Sequence, residues 1–266
     1  MDFTDLQYEK RGQVALITLD RPESRNAYSE AMVDSLVAAI DAAAEDADIR
    51  CAVLTGAGKA FCAGGDLKKM QQDSGMFSGG PAELRGRYLT GIHKIPRRIA
   101  RFEKPLIAAV NGPAMGAGLD LACMCDVRVA SERAKFGSAF INVGLVPGDG
   151  GAYFLTRAVG LSRALEMMLT GRAVDAQEAL SMALAHELAA PEALMDVAMA
   201  RAEALCAKAP VALRLAKRAT YLAIHSELNA ALDLAATYQG IAQNTEDHVE
   251  ALAALLEKRA PAFKGS

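Results

Sequence analysis

Two segments of the chain carry little side chain and many backbone amides, which is what holding an anion requires. One is Ala60-Phe61-Cys62-Ala63-Gly64-Gly65-Asp66-Leu67. The other is Asn111-Gly112-Pro113-Ala114-Met115-Gly116-Ala117-Gly118-Leu119-Asp120-Leu121. Residues without bulk let the backbone approach a ligand closely. Each segment follows a short apolar run. A helix starting there would leave free N–H groups facing the ligand and favour negative charge. Two such amides converging on one oxygen make an oxyanion hole, in which a single donor is worth about 2.7–4 kcal/mol of barrier. The same glycines also serve tight turns and close strand–helix packing. A dinucleotide site fits less well. Gly112-x-x-x-Gly116-x-Gly118 is not the G-x-G-x-x-G spacing, and no acidic residue ends a following strand at the required distance.

Proton chemistry has two carboxylate candidates near these segments. Asp120 lies in the second one, and Asp149 stands in Pro147-Gly148-Asp149-Gly150-Gly151. Either can act as a general base or acid. Asp149 is also placed to cap a helix beginning near Gly151. His93 reads as a core or surface histidine, and His186, His225 and His248 carry no signal. No Ser/His pair lies near the glycine segments, which speaks against a serine protease. The five cysteines (Cys51, Cys62, Cys123, Cys125 and Cys206) form no C-x-x-C pair and have no histidine at metal spacing. They are expected to be reduced, mostly buried thiols, and no metal site is expected.

Alternating elements must position these residues. A chain of 266 residues with 52% hydrophobic content can bury a full-sized core and carry an appendage. The apolar, β-branched run Val14–Leu19 predicts a strand, paired through Arg11-Gly12-Gln13 with residues 6–10. Ser29 opens an amphipathic helix with Met32, Leu36, Val37 and Ile40 on one side. Residues 51–55 and 106–110 predict two buried strands, residues 71–81 a polar, glycine-rich loop, and residues 84–101 a helix. Strands alternating with helices point to a wound α/β architecture. After about Ser162 the composition turns to Ala, Leu, Met, Glu and Arg. Helix starts follow at Asp175, where Asp175-x-x-Glu178 suits a capping box, and at Asn244-Thr245. Residues 200–266 are expected to form a helical module after a core of residues 1–199. Its stripes Leu228, Leu232, Ala235 and Leu252, Leu255, Leu256 suit either another subunit or a core of their own. A net charge of −3 and a pI near 5.9 imply no basic face, which argues against nucleic acid. The apolar stretch 105–125 is interrupted by Asn111, Asp120, prolines and glycines, so no membrane span is expected. With no leader visible, the expected location is the cytoplasm.

Taken in order, several motifs look like the enoyl-CoA hydratase/isomerase (crotonase) superfamily. They are Arg21-Pro22-Glu23-Ser24-Arg25-Asn26-Ala27, the two glycine segments, Cys125-Asp126, Phe136-Gly137 and Gly144-Leu145-Val146-Pro147-Gly148-Asp149-Gly150-Gly151. Leu169-Thr170-Gly171 and Lys258-Arg259-x-x-x-Phe263-Lys264 complete the series. The resemblance implies an α/β fold, a spiral of β-β-α turns with a C-terminal helical trimerisation module, assembled as a homotrimer or a dimer of trimers. It implies an acyl-CoA thioester as substrate, with coenzyme A as part of that substrate and no metal or redox cofactor. Gly65 and Ala117 match the family positions whose N–H groups hold the thioester oxygen; Ala117 replaces a usual glycine, which the backbone N–H tolerates. Arg25, Ala27, Ala63, Asp66, Leu67 and Lys68 match the CoA groove. Phe263 and Lys264 resemble residues that cover the adenine end, often from a neighbouring subunit.

The acid–base positions depart from the family pattern. Hydratases carry two glutamates where this chain has Asp120 and Phe140. Aspartate at the first position also occurs in dienoyl-CoA isomerases. The stretch from Ala139 to Pro147 resembles phenylacetate-pathway isomerases, which use one aspartate just after that proline; here Asp149 sits one residue further on. Crotonase-type β-diketone hydrolases have an aspartate there too, paired with a histidine where this chain has Phe140. The activity so implied is enoyl-CoA double-bond isomerisation or hydration in fatty-acid or aromatic-acid degradation. C–C hydrolysis and a catalytically silent CoA-binding scaffold are the alternatives.

Overall fold

The computed structural model describes residues 3–266. β1 (Leu6–Arg11) and β2 (Val14–Leu19) form an antiparallel hairpin, and α1 (Glu30–Glu45) follows with Ser29 as its cap, Ser29 Oγ accepting from Met32 N at 2.9 Å. Then come β3 (Cys51–Gly56), α2 (Leu67–Gln71), α3 (Pro81–Thr90), α4 (Lys94–Ile99), β4 (Leu106–Val110), β5 (Ala114–Met115) and α5 (Ala117–Met124). β6 (Val127–Ser131), β7 (Lys135–Gly137), α6 (Gly151–Val159) and α7 (Leu161–Thr170) repeat the strand–strand–helix order. β8 (Ala173–Asp175), α8 (Ala176–Ser181), β9 (Glu187–Ala189) and α9 (Leu194–Cys206) complete the layered part. α10 (Pro210–Ala223), α11 (Leu228–Gln243) and α12 (Glu246–Glu257) close the chain.

One sheet runs β1-β2-β3-β4-β6-β9, parallel beyond the first pair, and a second runs β5-β7-β8. Cys62 bridges Ala114, so the chain after β3 also touches the second sheet before entering α2. Each turn of the spiral is therefore β-β-α, as expected.

Side chains along β2, β3 and β4 alternate between two buried faces. Ile17, Leu54, Leu106 and Ala108 join one core with Leu36 and Ile40 of α1, Ile95 of α4 and Leu119 of α5. Leu16, Val53, Ile107 and Ala109 join the other with Leu194, Ala198 and Ala202 of α9. A strand covered on both faces needs no polar side, which is why these segments read as unbroken apolar runs. Each Leu or Ile so buried contributes about 1.5–3 kcal/mol.

The structure departs from expectation at several points. The helix expected over residues 84–101 is two helices. Gly91 ends α3, its N–H donating to Arg87 O at 2.8 Å, and a Cβ there would lie 2.6 Å from that oxygen. The loop of residues 71–81 contains a single 3-10 turn, Gly75–Phe77, with Phe77 turned into the core. Asp175 caps α8 through Glu178 N at 2.8 Å, but the Glu178 carboxylate pairs with Arg172 instead of completing the box. The boundary expected between residues 199 and 200 falls within α9, a helix that packs on the main sheet.

The last three helices are differently built. α10 and α11 bury no residue, and α12 buries only Asp247 and Ala254. Leu255 and Leu256 are 75% and 83% exposed, and Leu228 and Leu232 are exposed as well, so these stripes form no core of their own within the chain. Among the described residues no helix is long and apolar enough to cross a membrane.

Candidate active site

The glycine segments leave the C-terminal ends of β3 and β4, where parallel sheets place their ligands. Asn26 locks the first segment from behind, its Nδ2 donating to Ala57 O and Ala60 O at 2.9 Å. Asn111 Nδ2 donates to Gly58 O at 3.1 Å from the other side. The two segments touch backbone to backbone. A Cβ on Gly118 would lie 2.0 Å from Cys62 O, and one on Gly64 would lie 2.6 Å from Met115 O and 3.0 Å from Ala117 N. Gly64 also has φ +86°, so it is required twice over. Ala117 is the first residue of α5, entered through Gly116 at φ +53°. Among the described residues neither the Gly65 nor the Ala117 amide finds an acceptor. The structure thus brings both expected oxyanion positions together with their N–H groups free.

Two carboxylates belong to the same region: Asp120 follows Ala117 on α5, and the Asp149 charge reaches Asp120. Asp120 is 0% exposed and neither oxygen makes a hydrogen bond; Asp149 is 5% exposed and its Oδ1 makes none. Burying such groups unpaired is costly, by roughly 1–3 kcal/mol for a neutral group and more for a charged one. The Asp120 carboxylate rests on the start of α6, where a Cβ on Gly151 would lie 2.3 Å from Oδ1. Burial raises the Asp120 pKa well above the usual range, the Asp149 charge raises it further, and the nearby Gly151 amide opposes both without reaching hydrogen-bond geometry. Burial pushes Asp149 up to about 6, against the opposing influence of His93. At neutral pH Asp149 is mainly a carboxylate, while burial favours the protonated form of Asp120. A pair split in this way divides acid and base roles. Asp149 caps nothing: Gly150, at φ +108°, precedes α6 with no side-chain cap.

The other expected residues fall into two groups. Arg25 is exposed, and its carbonyl accepts from Ala63 N at 2.9 Å; Ala27 is buried, and its carbonyl accepts from Arg21 Nη1 at 2.7 Å. Asp66 caps α2 through Lys68 N and Lys69 N, leaving Leu67 and Lys68 exposed next to Gly65. Phe140 lays its ring on Gly116, 3.7 Å from where a Cβ would stand. All of these lie around the amide pair. Phe263 and Lys264 do not. Phe263 O accepts from Arg50 Nη2 at 2.8 Å, and Lys264 N donates to Asp247 Oδ1 at 2.7 Å. Arg50 stands before the start of β3, whereas Gly65 follows its end, so within one chain the tail sits at the far end of the strand.

Sequence reasoning missed Asn26, Tyr28 and His93. Asn26 adopts φ +57°, a conformation asparagine tolerates better than most residues, and its place within Arg21-Pro22-Glu23-Ser24-Arg25-Asn26 was the available signal. Tyr28 is buried close enough to both Asp120 and Asp149 for their charges to raise its pKa. His93 Nε2 lies 2.7 Å from Gly148 O. Among the described residues no His, Cys, Asp or Glu side chains gather as metal ligands. A cavity of about 510 Å³ lies further along α5 and α6 against α10, lined by Phe102, Met124, Phe154, Lys217 and Tyr221. It includes neither the amides nor the carboxylates. Space before Gly65 is filled by the Met70 and Phe77 side chains.

The family model for enoyl-CoA hydratase/isomerase matches residues 9–266. A short-chain-enoyl-CoA hydratase of Clostridium acetobutylicum is 35% identical over 262 residues, covering 97% of each chain. A 1,2-epoxyphenylacetyl-CoA isomerase of Escherichia coli is 36% identical over 261 residues, covering 98% of each. The crystal structure of an enoyl-CoA hydratase from Bacillus anthracis superposes with a TM-score of 0.92 at 33% identity, covering 99% of this chain and 100% of that one.

Proposed function

The chain belongs to the enoyl-CoA hydratase/isomerase family, and from that premise we propose that it holds an enoyl-CoA thioester by its carbonyl oxygen on the amides of Gly65 and Ala117 and moves protons with Asp149 and Asp120. Removing a proton next to a thioester places negative charge on that oxygen, and the two free N–H groups, Gly65 ahead of α2 and Ala117 at the start of α5, meet it there. Asp149 is the base, ionised at neutral pH and closed off from bulk water. Asp120, whose burial favours the protonated form, is the acid that returns a proton. Migration of a double bond needs only this pair. Hydration follows where a water reaches Asp149. Arg25, Ala27, Ala63, Asp66, Leu67 and Lys68 flank the CoA, and the Phe140 ring keeps the acyl side dry. Amides carry the charge and carboxylates the proton, so the chemistry calls for neither metal nor redox group.

The observation that carries this reading is the meeting of two buried, unpartnered carboxylates with two free amides. A series of enoyl-CoA thioesters incubated in deuterated water and followed by mass spectrometry tests it. Deuterium uptake at constant composition marks isomerisation, and gain of one water marks hydration. Saturable CoA binding with no turnover of any thioester would overturn the reading.

Phe263 and Lys264 reach a CoA only from another copy of this chain, because their own chain holds them at the far end of β3. The helices after α9 therefore serve as the oligomerisation module, covering their exposed leucines in a homotrimer or dimer of trimers. Light scattering that shows a monomer at micromolar concentration would contradict this. Five free, buried thiols suit a reducing compartment, the cytoplasm.

A further inference from the structure

His93 stands just before α4, half-buried, with its ring edge-on to Tyr88 at a centroid distance of 5.9 Å. Its Nε2 lies 2.7 Å from Gly148 O, the carbonyl immediately before Asp149. A carbonyl oxygen only accepts, so Nε2 must carry the proton. Nδ1 makes no hydrogen bond to the described residues. Gly148 is held from a second side as well, since a Cβ on it would lie 3.3 Å from the Tyr88 ring. A two-sided clamp therefore fixes the turn that aims Asp149.

The groups within electrostatic reach of Asp149 come from five places in the fold. They are Tyr28 before α1, Cys62 after β3, Tyr88 on α3, His93 before α4 and Asp120 on α5. Of these only His93 can become positive. We propose that His93 is a positioning residue for Asp149, holding the Pro147–Gly150 turn through Gly148 O and placing beside the carboxylate an imidazole that can carry positive charge. The inference rests on the reading of Asp149 as the base.

The influence of His93 opposes burial and draws the Asp149 pKa down towards about 6. Without it Asp149 stays protonated to higher pH, and the rise of kcat/KM with pH moves the same way. His93→Gln keeps an amide N–H that can reach Gly148 O but carries no charge; His93→Phe lacks both. In His93→Gln the rise is expected to move up by about one pH unit, with the high-pH plateau kept. Activity at pH 6 then falls about fivefold, because at that pH the ionised fraction drops from about one half to about one tenth. In His93→Phe the same shift appears together with a lower plateau. A rise that stays at the wild-type pH in both variants overturns the proposal, and so does a His93→Gln plateau as low as that of His93→Phe. Asp149→Asn separates the two ideas. If it keeps full activity, Asp149 is not the base. If it is inactive while the His93 variants keep wild-type pH profiles, only the role of His93 fails.

Discussion

Asp247 in α12 and the pair Asp120–Asp149 are carboxylates of similar burial in opposite circumstances. Asp247 is 2% exposed, yet its oxygens accept from Lys264 N at 2.7 Å and Gly265 N at 2.9 Å, folding the tail back on the helix. Asp126 is satisfied likewise by Leu106 N, Lys217 and Tyr221. At Asp120 and Asp149 three of four carboxylate oxygens are buried with no partner. Burial alone marks a structural carboxylate as readily as a catalytic one. Missing partners set the proposed catalytic pair apart, because the fold has no use for a charge it leaves unpaired, whereas a bound substrate would.

That contrast can be broken at the catalytic end. Asp149→Asn keeps the size and removes the basicity, and it should lower kcat by about 10²–10⁴-fold. Asp120→Asn should cost less if Asp149 is the base; the reverse order would exchange their roles. Ala117→Pro removes one oxyanion donor at a first-turn helix position that tolerates proline, and should cost about 10²–10³-fold. Wild-type turnover in that variant would remove Ala117 from the site.

Stability should move the other way. The Asp149 pKa lies at about 6 in the fold against an ordinary value of 3.8. A raised pKa means that the folded state binds the proton more tightly, so this contribution is full below the ordinary value and lost as pH rises through about 6. Over that window the cost amounts to about 3 kcal/mol. Asparagine never ionises. The inactive Asp149→Asn protein should therefore be more stable than wild type above pH 6 in denaturant titrations, with the difference shrinking towards pH 4. Equal stability at all pH values would mean that Asp149 is solvated in the fold. Wild-type kcat/KM should rise through the same pH range as the base ionises.

Much of the fold was legible because its signals are local. The runs at Val14, Cys51 and Leu106 lie in strands covered on both faces, and Ser29 and Thr245 cap helices within three residues of themselves. The local form of the two glycine segments was legible for the same reason: each is a strand end, glycines and a helix start in one stretch. The contacts that define the acid–base site are long-range. Asp120 meets Gly151, and Gly148 meets Tyr88 and His93, across intervals that carry no periodic pattern. Where the tail lies was hidden likewise, since Arg50 and Phe263 are brought together only by the finished sheet and α9. The break at Gly91 was a local signal misread, a helix end inside an otherwise continuous pattern, and so was the capping box at Asp175, whose Glu178 pairs with Arg172.

The structural carboxylate gives the smallest and most discriminating test. Asp247→Ala removes two hydrogen bonds to the amides of Lys264 and Gly265, in a tail whose amides water can reach once it is released. The net cost of such bonds is about 1–2 kcal/mol, well below that of stranding a buried group. For a chain of this size it should lower the thermal midpoint by about 2–4 °C per kcal/mol. Proton transfer does not involve Asp247, so kcat should hold. A released tail places Phe263 and Lys264 less reliably against the CoA of a neighbouring copy, so KM should rise. A fall in kcat with KM unchanged would mean that the tail acts on the chemistry itself. An unchanged KM with a lowered midpoint would confine Asp247 to folding and remove Phe263 and Lys264 from substrate binding.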